Sequence, residues 1–162
     1  MKESFTLLVV LFVSFAFSCR QNEKNIWVLD SEHDLTQYQI SRLDSLFKSH
    51  EKKTTNEIAL VTTRDYQPDS SILFFAVNFG RKYGVGKKDK DNGVVIAFSA
   101  TKHQTMISTG YGTEKTLKDE IAKKIIDSLM IPCFKEGRIF DGLWDGSTAI
   151  VNFLERPENK IK

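Results

Sequence analysis

Apolar positions recur along the chain at two spacings, and their alternation predicts an ordered series of helices and strands. Thr36 can cap a helix, with Gln39 at the capping-box position three residues on. Ile40, Leu43, Leu46 and Phe47 then recur at helical spacing, and basic residues near His50–Lys53 suit that helix's C-terminus. Glu57 to Thr63 reads as a short buried strand. Pro68-Asp69-Ser70 opens a second helix that carries Phe74, Val77 and Phe79 and stops at Gly84. Val94 to Phe98 is apolar on both faces, as a central strand would be, and Gln104 to Thr109 pairs with it by a hairpin through Ala100–His103. A helix follows from about Lys118 to Leu129, with Ile121, Ala122, Ile125, Ile126 and Leu129 inward, and Pro132 ends or redirects it. The last helix runs from about Asp141 to Leu154 and buries Leu143, Ile150, Val151 and Leu154; its Gly142 and Gly146 suggest close packing against a sheet. Ahead of all these, Ile26-Trp27-Val28-Leu29 is an edge strand or a segment laid on the core. Strands interleaved with helices on both faces predict an α/β fold, a three-layer α/β/α sandwich with a short mixed central sheet.

The N-terminus breaks this pattern. Lys2 precedes a mostly apolar run from Phe5 to Phe17, too short to span a bilayer and shaped like the core of a signal peptide. Ala16-Phe17-Ser18-Cys19 resembles a lipobox, so residues 1–18 are expected to be a leader cleaved before an acylated Cys19. An ordinary signal peptide with a chance cysteine is the alternative. Residues 19–27 then form a tether, 28–155 one domain, and 156–162 a polar tail. The expected location is the cell envelope, with the chain held to a membrane by its lipid and facing the periplasm or exterior.

Composition narrows the functional classes. In 162 residues, 41% are hydrophobic and 27% charged, which fits one globular domain with its own core. A net charge of +2, without a basic stripe or stacking platform, argues against nucleic acid. Cys19 and Cys133 are the two cysteines; lipidating the first leaves the second as a buried hydrophobe and excludes a disulfide framework. The expectation is a monomeric domain, with an envelope protein as a possible partner. His33, His50 and His103 lack paired metal spacing and are expected at the surface.

The chemistry concentrates in residues 84–112. A turn of three lysines and two aspartates, Lys87 to Asp91, runs into Asn92-Gly93, and Gly110-Tyr111-Gly112 closes the next strand. Asp89, Asp91 and Asn92 offer only oxygen ligands, which suit Ca²⁺ or Mg²⁺ rather than zinc or copper. The run is not an EF-hand: glycine comes one position early, and the closing position holds Ala100 instead of glutamate. Further ligands would have to come from distant loops, with Asp30 and Asp141 the candidates. A plain solvated turn is the competing reading. Gly93 and Tyr111 would line such a site, although Tyr111 could instead cap the core. Arg81, Lys87 or Arg138 could hold phosphate oxygens if the centre were a phosphatase with Asp91 or Asp30 as nucleophile or metal ligand. Helix-end pairing with surface acids explains Arg81 and Arg138 equally well. Gly84-Val85-Gly86 is no P-loop, because Gly-Lys-Ser/Thr does not follow.

Val28-Leu29-Asp30 before Leu35-Thr36, the strand Ile58 to Thr62, Tyr83 to Gly86, and Lys90-Asp91-Asn92-Gly93 come in a recognisable order. Gly110-Tyr111-Gly112 with Glu114, Leu117 with Asp119, Ile131-Pro132, Phe134, Glu136-Gly137 and Asp141-Gly142 complete it. The chain thereby resembles the TPM domain family of bacterial envelope and plant thylakoid-lumen proteins, from about Val28 to Leu154. The resemblance implies an α/β/α sandwich outside the cytoplasm and an acidic site that binds calcium or magnesium in some members. Weak acid-phosphatase activity is associated with the plant branch of that family, and bacterial members are largely of unknown function. The family pattern R-I-E-V-G-Y-G is broken here, with Met106 and Ser108 at the arginine and glutamate positions, which counts against phosphatase chemistry. An accessory or interaction module with a weak cation site is therefore the expected function, and a metal-assisted acid phosphatase the alternative.

Overall fold

The computed structural model describes residues 27–161. The expected leader, Cys19 and all of the expected tether except Trp27 lie outside them. Strands β1 (Val28–Asp30), β2 (Glu57–Thr62), β3 (Gly93–Ser99) and β4 (Gln104–Thr109) form one sheet in that order. The first three are parallel and β4 is antiparallel to β3. Period-two alternation divides the strand side chains between two cores. Ile58, Leu60, Val94, Ile96, Phe98 and Ile107 face one way; Ala59, Val61, Val95 and Ala97 face the other.

Helix α1 (Gln37–Thr54) starts at the expected capping box: Thr36 Oγ1 accepts the Gln39 N–H at 3.3 Å, and Gln39 Oε1 accepts the Thr36 N–H at 2.8 Å. Its Leu43 and Phe47 enter the larger core, beside α6 (Ile139–Leu154). Helix α2 (Ile72–Tyr83) covers the opposite face through Ile72, Ala76 and Phe79 and ends at Gly84 in the left-handed conformation. The mixed sheet between two helical layers is the three-layer sandwich expected. Both parallel crossovers step across the sheet in the same direction, β1 to β2 and β2 to β3, yet α1 and α2 lie on opposite faces. The two connections therefore have opposite hands, and one is left-handed, an arrangement found in roughly 2% of such units.

Three expectations change. Ser71, not the Pro68–Ser70 run, caps α2, so Phe74 falls on the solvent side and is 55% exposed. The helix drawn over 118–129 is α4 (Asp119–Ile125), followed by a π-helical turn over Ile126–Met130 and by α5 (Ile131–Lys135). Pro132 lacks an N–H and its ring crowds the carbonyl four residues back, which a widened turn accommodates without breaking the helical path. The extra residue rotates the inward face, so Met130 is fully buried where Leu129 was expected, and Leu129 points outward. Gly142 and Gly146 consequently pack against this segment instead of the sheet. A Cβ on Gly146 would lie 2.6 Å from Met130 Cγ, and one on Gly142 2.5 Å from Phe134 Cε1.

His50 is also a correction, being fully buried. Both ring nitrogens have partners, Glu155 Oε1 at 3.2 Å and Thr54 Oγ1 at 3.3 Å, which makes burial of the imidazole affordable. Trp27 and Trp144 pack partly buried on the core, Trp144 beneath the Arg42 guanidinium at 4.0 Å. Cys133 is a buried free thiol, as expected.

Candidate functional site

Residues 84–93 lie at the N-terminal ends of β2 and β3, beside the C-terminal end of β4. After Gly84 the backbone folds onto β2, where the Gly86 N–H donates to Glu57 Oε2 at 2.7 Å. Lys90 and Asp91 N–H groups both donate to the Lys87 carbonyl, at 3.0 and 2.8 Å, and Asp91 takes a positive φ of 47°. Asn92 is fully buried and holds the turn from inside. Its Oδ1 accepts the Lys87 N–H at 2.8 Å, and its Nδ2 donates to the Thr55 carbonyl at 3.0 Å and to Asn56 Oδ1 at 3.1 Å.

Two glycines dock the neighbouring loop on this turn. A Cβ on Gly110 would stand 2.3 Å from the Asp91 carbonyl oxygen, and one on Gly112 would stand 1.9 Å from that of Lys90. The Gly112 N–H donates to the Asp91 carbonyl at 3.0 Å, and the Gly110 N–H to Gly93 at 2.9 Å. Backbone thus packs directly on backbone, and Tyr111, between the glycines in the short helix α3 (Tyr111–Glu114), is left 78% exposed. Tyr111 does not cap the core.

Two lysines of the turn, Lys87 and Lys90, are held away from its carboxylates. Lys87 Nζ is held by Glu51, at 3.0 Å, and by Glu57, and the hydrogen bond to Glu57 and then that to Glu51 raise its pKa. Lys90 Nζ reaches Thr55 Oγ1 at 3.3 Å. Asp89 and Asp91 are exposed, and among the described residues neither carboxylate has a hydrogen-bond or ion-pair partner.

The other expected ligands do not join them. Asp30 closes β1 opposite Thr62, five residues along β2 from the Glu57 that pairs with Gly93, a separation of about 17 Å. Its carboxylate accepts the N–H groups of Leu35 at 2.9 Å and Asp34 at 3.3 Å, together with the Thr62 hydroxyl. Asp141 lies in the first turn of α6, and the far end of that helix leads to Glu155, which bonds His50 and Lys53 on the last turns of α1. The helix length alone keeps Asp141 about 20 Å from that end. Asp141 is paired with Arg138 at 3.0 Å, and Arg138 also grips Glu136 at 2.7 Å, the surface pairing already considered for it. Completion of the 87–93 site by Asp30 and Asp141 does not hold, and Asn92 is spent on the fold. Among the described residues, no three His, Cys, Asp or Glu side chains come together as a metal-holding group.

The sequence reading missed two acids at the Asp30 end. Glu32 is 5% exposed, and its carboxylate accepts the N–H groups of Ala100 at 2.8 Å and Thr101 at 3.2 Å plus the Thr101 hydroxyl at 2.7 Å. It pins the β3–β4 hairpin to the segment after β1. Asp34 sits beside Glu32 and Asp30, and one of its carboxylate oxygens is buried without a partner. Burial, followed by the charges of Glu32 and Asp30, raises its pKa despite the opposing charge of Arg64. Alternation of acidic residues at 30, 32 and 34 was the one visible signal, but nothing local shows that a loop bends them together.

A family model described as the TPM domain matches residues 28–153, most of the chain and all four strands. The chain belongs to the TPM domain family. This TPM domain is also similar to solved structures. The N-terminal domain of a protein from P. gingivalis, determined by solution NMR, has 26% identity and a TM-score of 0.74, covering 83% of this chain and 85% of that one. The BA42 protein of the psychrophilic bacterium Bizionia argentinensis has 19% identity and a TM-score of 0.64, covering 74% and 81%. The N-terminal domain of the cg2496 protein of Corynebacterium glutamicum has 10% identity and a TM-score of 0.60, covering 78% of each. At those lower identities the likeness concerns the fold alone. Comparison with curated proteins gave no match.

Proposed function

We propose that this TPM domain is a binding module of the cell envelope, anchored by a lipid on Cys19, that takes up Ca²⁺ or Mg²⁺ weakly at Asp89 and Asp91. The observation that carries the cation reading is the division of labour in the turn. Lys87 and Lys90 are drawn back to Glu51, Glu57 and Thr55, so two exposed carboxylates are left without a neutralising partner on a backbone fixed by Asn92 and the glycine contacts. Hard oxygen donors with open coordination positions suit a hydrated divalent ion, with water completing the shell. Two carboxylates make a low-affinity site. The apolar leader and the cysteine that ends it support the anchor.

The acid-phosphatase alternative has less behind it. Arg138 is engaged by Glu136 and Asp141, and Met106 packs with the smaller core where the family pattern would place arginine. The readings separate in one assay. Purified residues 20–162 should not turn over a phosphate ester with Ca²⁺, Mg²⁺ or Mn²⁺, and turnover that vanishes in Asp91→Asn would overturn the binding-module reading. Metabolic labelling with a fatty acid should mark the wild-type chain and not Cys19→Ala; equal labelling would refute the anchor.

A further inference from the structure

Strand β4 is a sheet edge that has been left open. It pairs with β3 without interruption from Gln104 to Thr109, so no bulge turns it away, and it contains no proline and no charged residue. Sheet edges without such protection accept another strand. The 2.9 Å bond between the Gly110 N–H and the Gly93 carbonyl sets the parity of the ladder. Ser108, Met106 and Gln104 direct their backbone groups to β3, and Thr105, Ile107 and Thr109 direct theirs outward.

This edge is the floor of a groove of about 1700 Å³, with α2 as one wall and α4, the π-helical turn and α5 as the other. Ile72, Leu73 and Val77 stand on the α2 wall; Ile126, Ile131 and Phe134 stand on the other. A second copy of the chain would carry its own β4 between the same walls. Two such recessed edges cannot approach to the roughly 4.8 Å of paired strands without helix meeting helix. One extended segment fits where a second domain does not.

Charge specifies the segment further. At the Tyr111 end of the groove, Arg81 and Lys88 stand on the α2 side, and Asp119 and Glu120 stand across from them. None of the four forms an ion pair among the described residues. Neighbouring side chains of an added strand point to opposite walls. We infer that the β4 groove binds an extended polypeptide segment by strand addition: a short run of β-forming apolar residues ending in adjacent acidic and basic residues, the acid toward Arg81 and the base toward Asp119 and Glu120. The charged end of this groove adjoins the proposed cation turn, since Asp91 also lines it, but the peptide is titrated without added divalent ion, so either proposal can fail alone.

The probe is a fluorescent peptide, acetyl-Thr-Val-Val-Ile-Val-Glu-Lys-Thr-amide, titrated by anisotropy against the full chain in lipid nanodiscs, with empty nanodiscs as blank. Saturable binding is expected, weakened about tenfold or more when the peptide N–H groups facing β4 are methylated, since two or three backbone bonds go. Exchanging Glu and Lys in the peptide should weaken it several-fold. Two protein variants should do the same: Thr105→Pro, which removes an outward N–H where an edge strand tolerates proline, and Val77→Glu, which charges the apolar wall. Circular dichroism melting confirms that each variant is folded. No saturable binding, or equal binding of the methylated peptide, overturns the proposal. So does failure of the peptide to bind while cross-linking shows self-association that Thr105→Pro abolishes; that result assigns the edge to a second copy.

Discussion

Gly112→Ala tests how the exposed turn is held. The new methyl carbon would stand 1.9 Å from the Lys90 carbonyl oxygen and 3.1 Å from that of Asp91. Ordinary contact requires more than 3 Å, so α3 and the 87–93 turn must separate by over an ångström. Overpacking of this kind costs about 1–3 kcal/mol. The Gly112–Asp91 hydrogen bond, 3.0 Å long, goes with it, a further loss of about 1 kcal/mol. Alanine recovers up to about 1 kcal/mol through helix propensity. The expected net loss is about 2–3 kcal/mol, a large share of a typical domain's stability. With a urea m-value of about 1–3 kcal/mol/M, the midpoint should fall by roughly 0.7–3 M. Gly137→Ala is the control, because its Cβ would meet nothing within 4 Å and only the φ of 74° resists it; that substitution should cost about 1 kcal/mol. Amide shifts in Gly112→Ala should centre on residues 87–93. A urea midpoint unchanged within error, or shifts confined to α3, would refute the account of the contact.

Two further perturbations follow from buried groups. Burial lowers the His50 pKa, outweighing the hydrogen bond and charge of Glu155 that favour the charged ring. The unfolded chain therefore takes up the proton more readily. Stability conferred by neutral His50 is present above the unfolded value of about 6.5 and falls as pH drops below it. His50→Gln should flatten a urea-stability profile between pH 7 and 5.5, and an unchanged slope would contradict this. Glu32→Ala leaves the Ala100 and Thr101 N–H groups and the Thr101 hydroxyl without their acceptor. A loss of about 2–4 kcal/mol is expected in urea unfolding, with hydrogen exchange fastest in the 99–104 hairpin.

Local features of this fold were legible before its tertiary ones. The Thr36–Gln39 capping box, the helix stop at Gly84 and the apolar Val94–Phe98 stretch of β3 each follow from short-range chemistry and stand as expected. The π-helical turn was not legible, because Pro132 announces a problem without saying whether the helix breaks or widens. That one residue of phase moved burial from Leu129 to Met130 and turned Gly142 and Gly146 toward Met130 and Phe134. His50 looked like a surface residue because its partner Glu155 is over a hundred positions away.

The candidate site divides for the same reason. Asp89 and Asp91 share a turn that can be read locally. Whether Asp30 and Asp141 reach it depends on strand direction and on which face each crossover takes, and one crossover here runs against the usual hand. Asn92 carries the oxygen of a ligand, but burial gives that oxygen to the Lys87 N–H instead.

The central claim is that Asp89 and Asp91 form the working end of this module. Adding calcium to residues 20–162 while recording backbone amide shifts tests it most directly. Millimolar calcium should move amides in residues 87–93 and at Tyr111, with no comparable movement at Asp30 or Asp141. Asp89→Asn combined with Asp91→Asn should abolish the response. Silence of the 87–93 amides at millimolar calcium, or an undiminished response in the double variant, would contradict it.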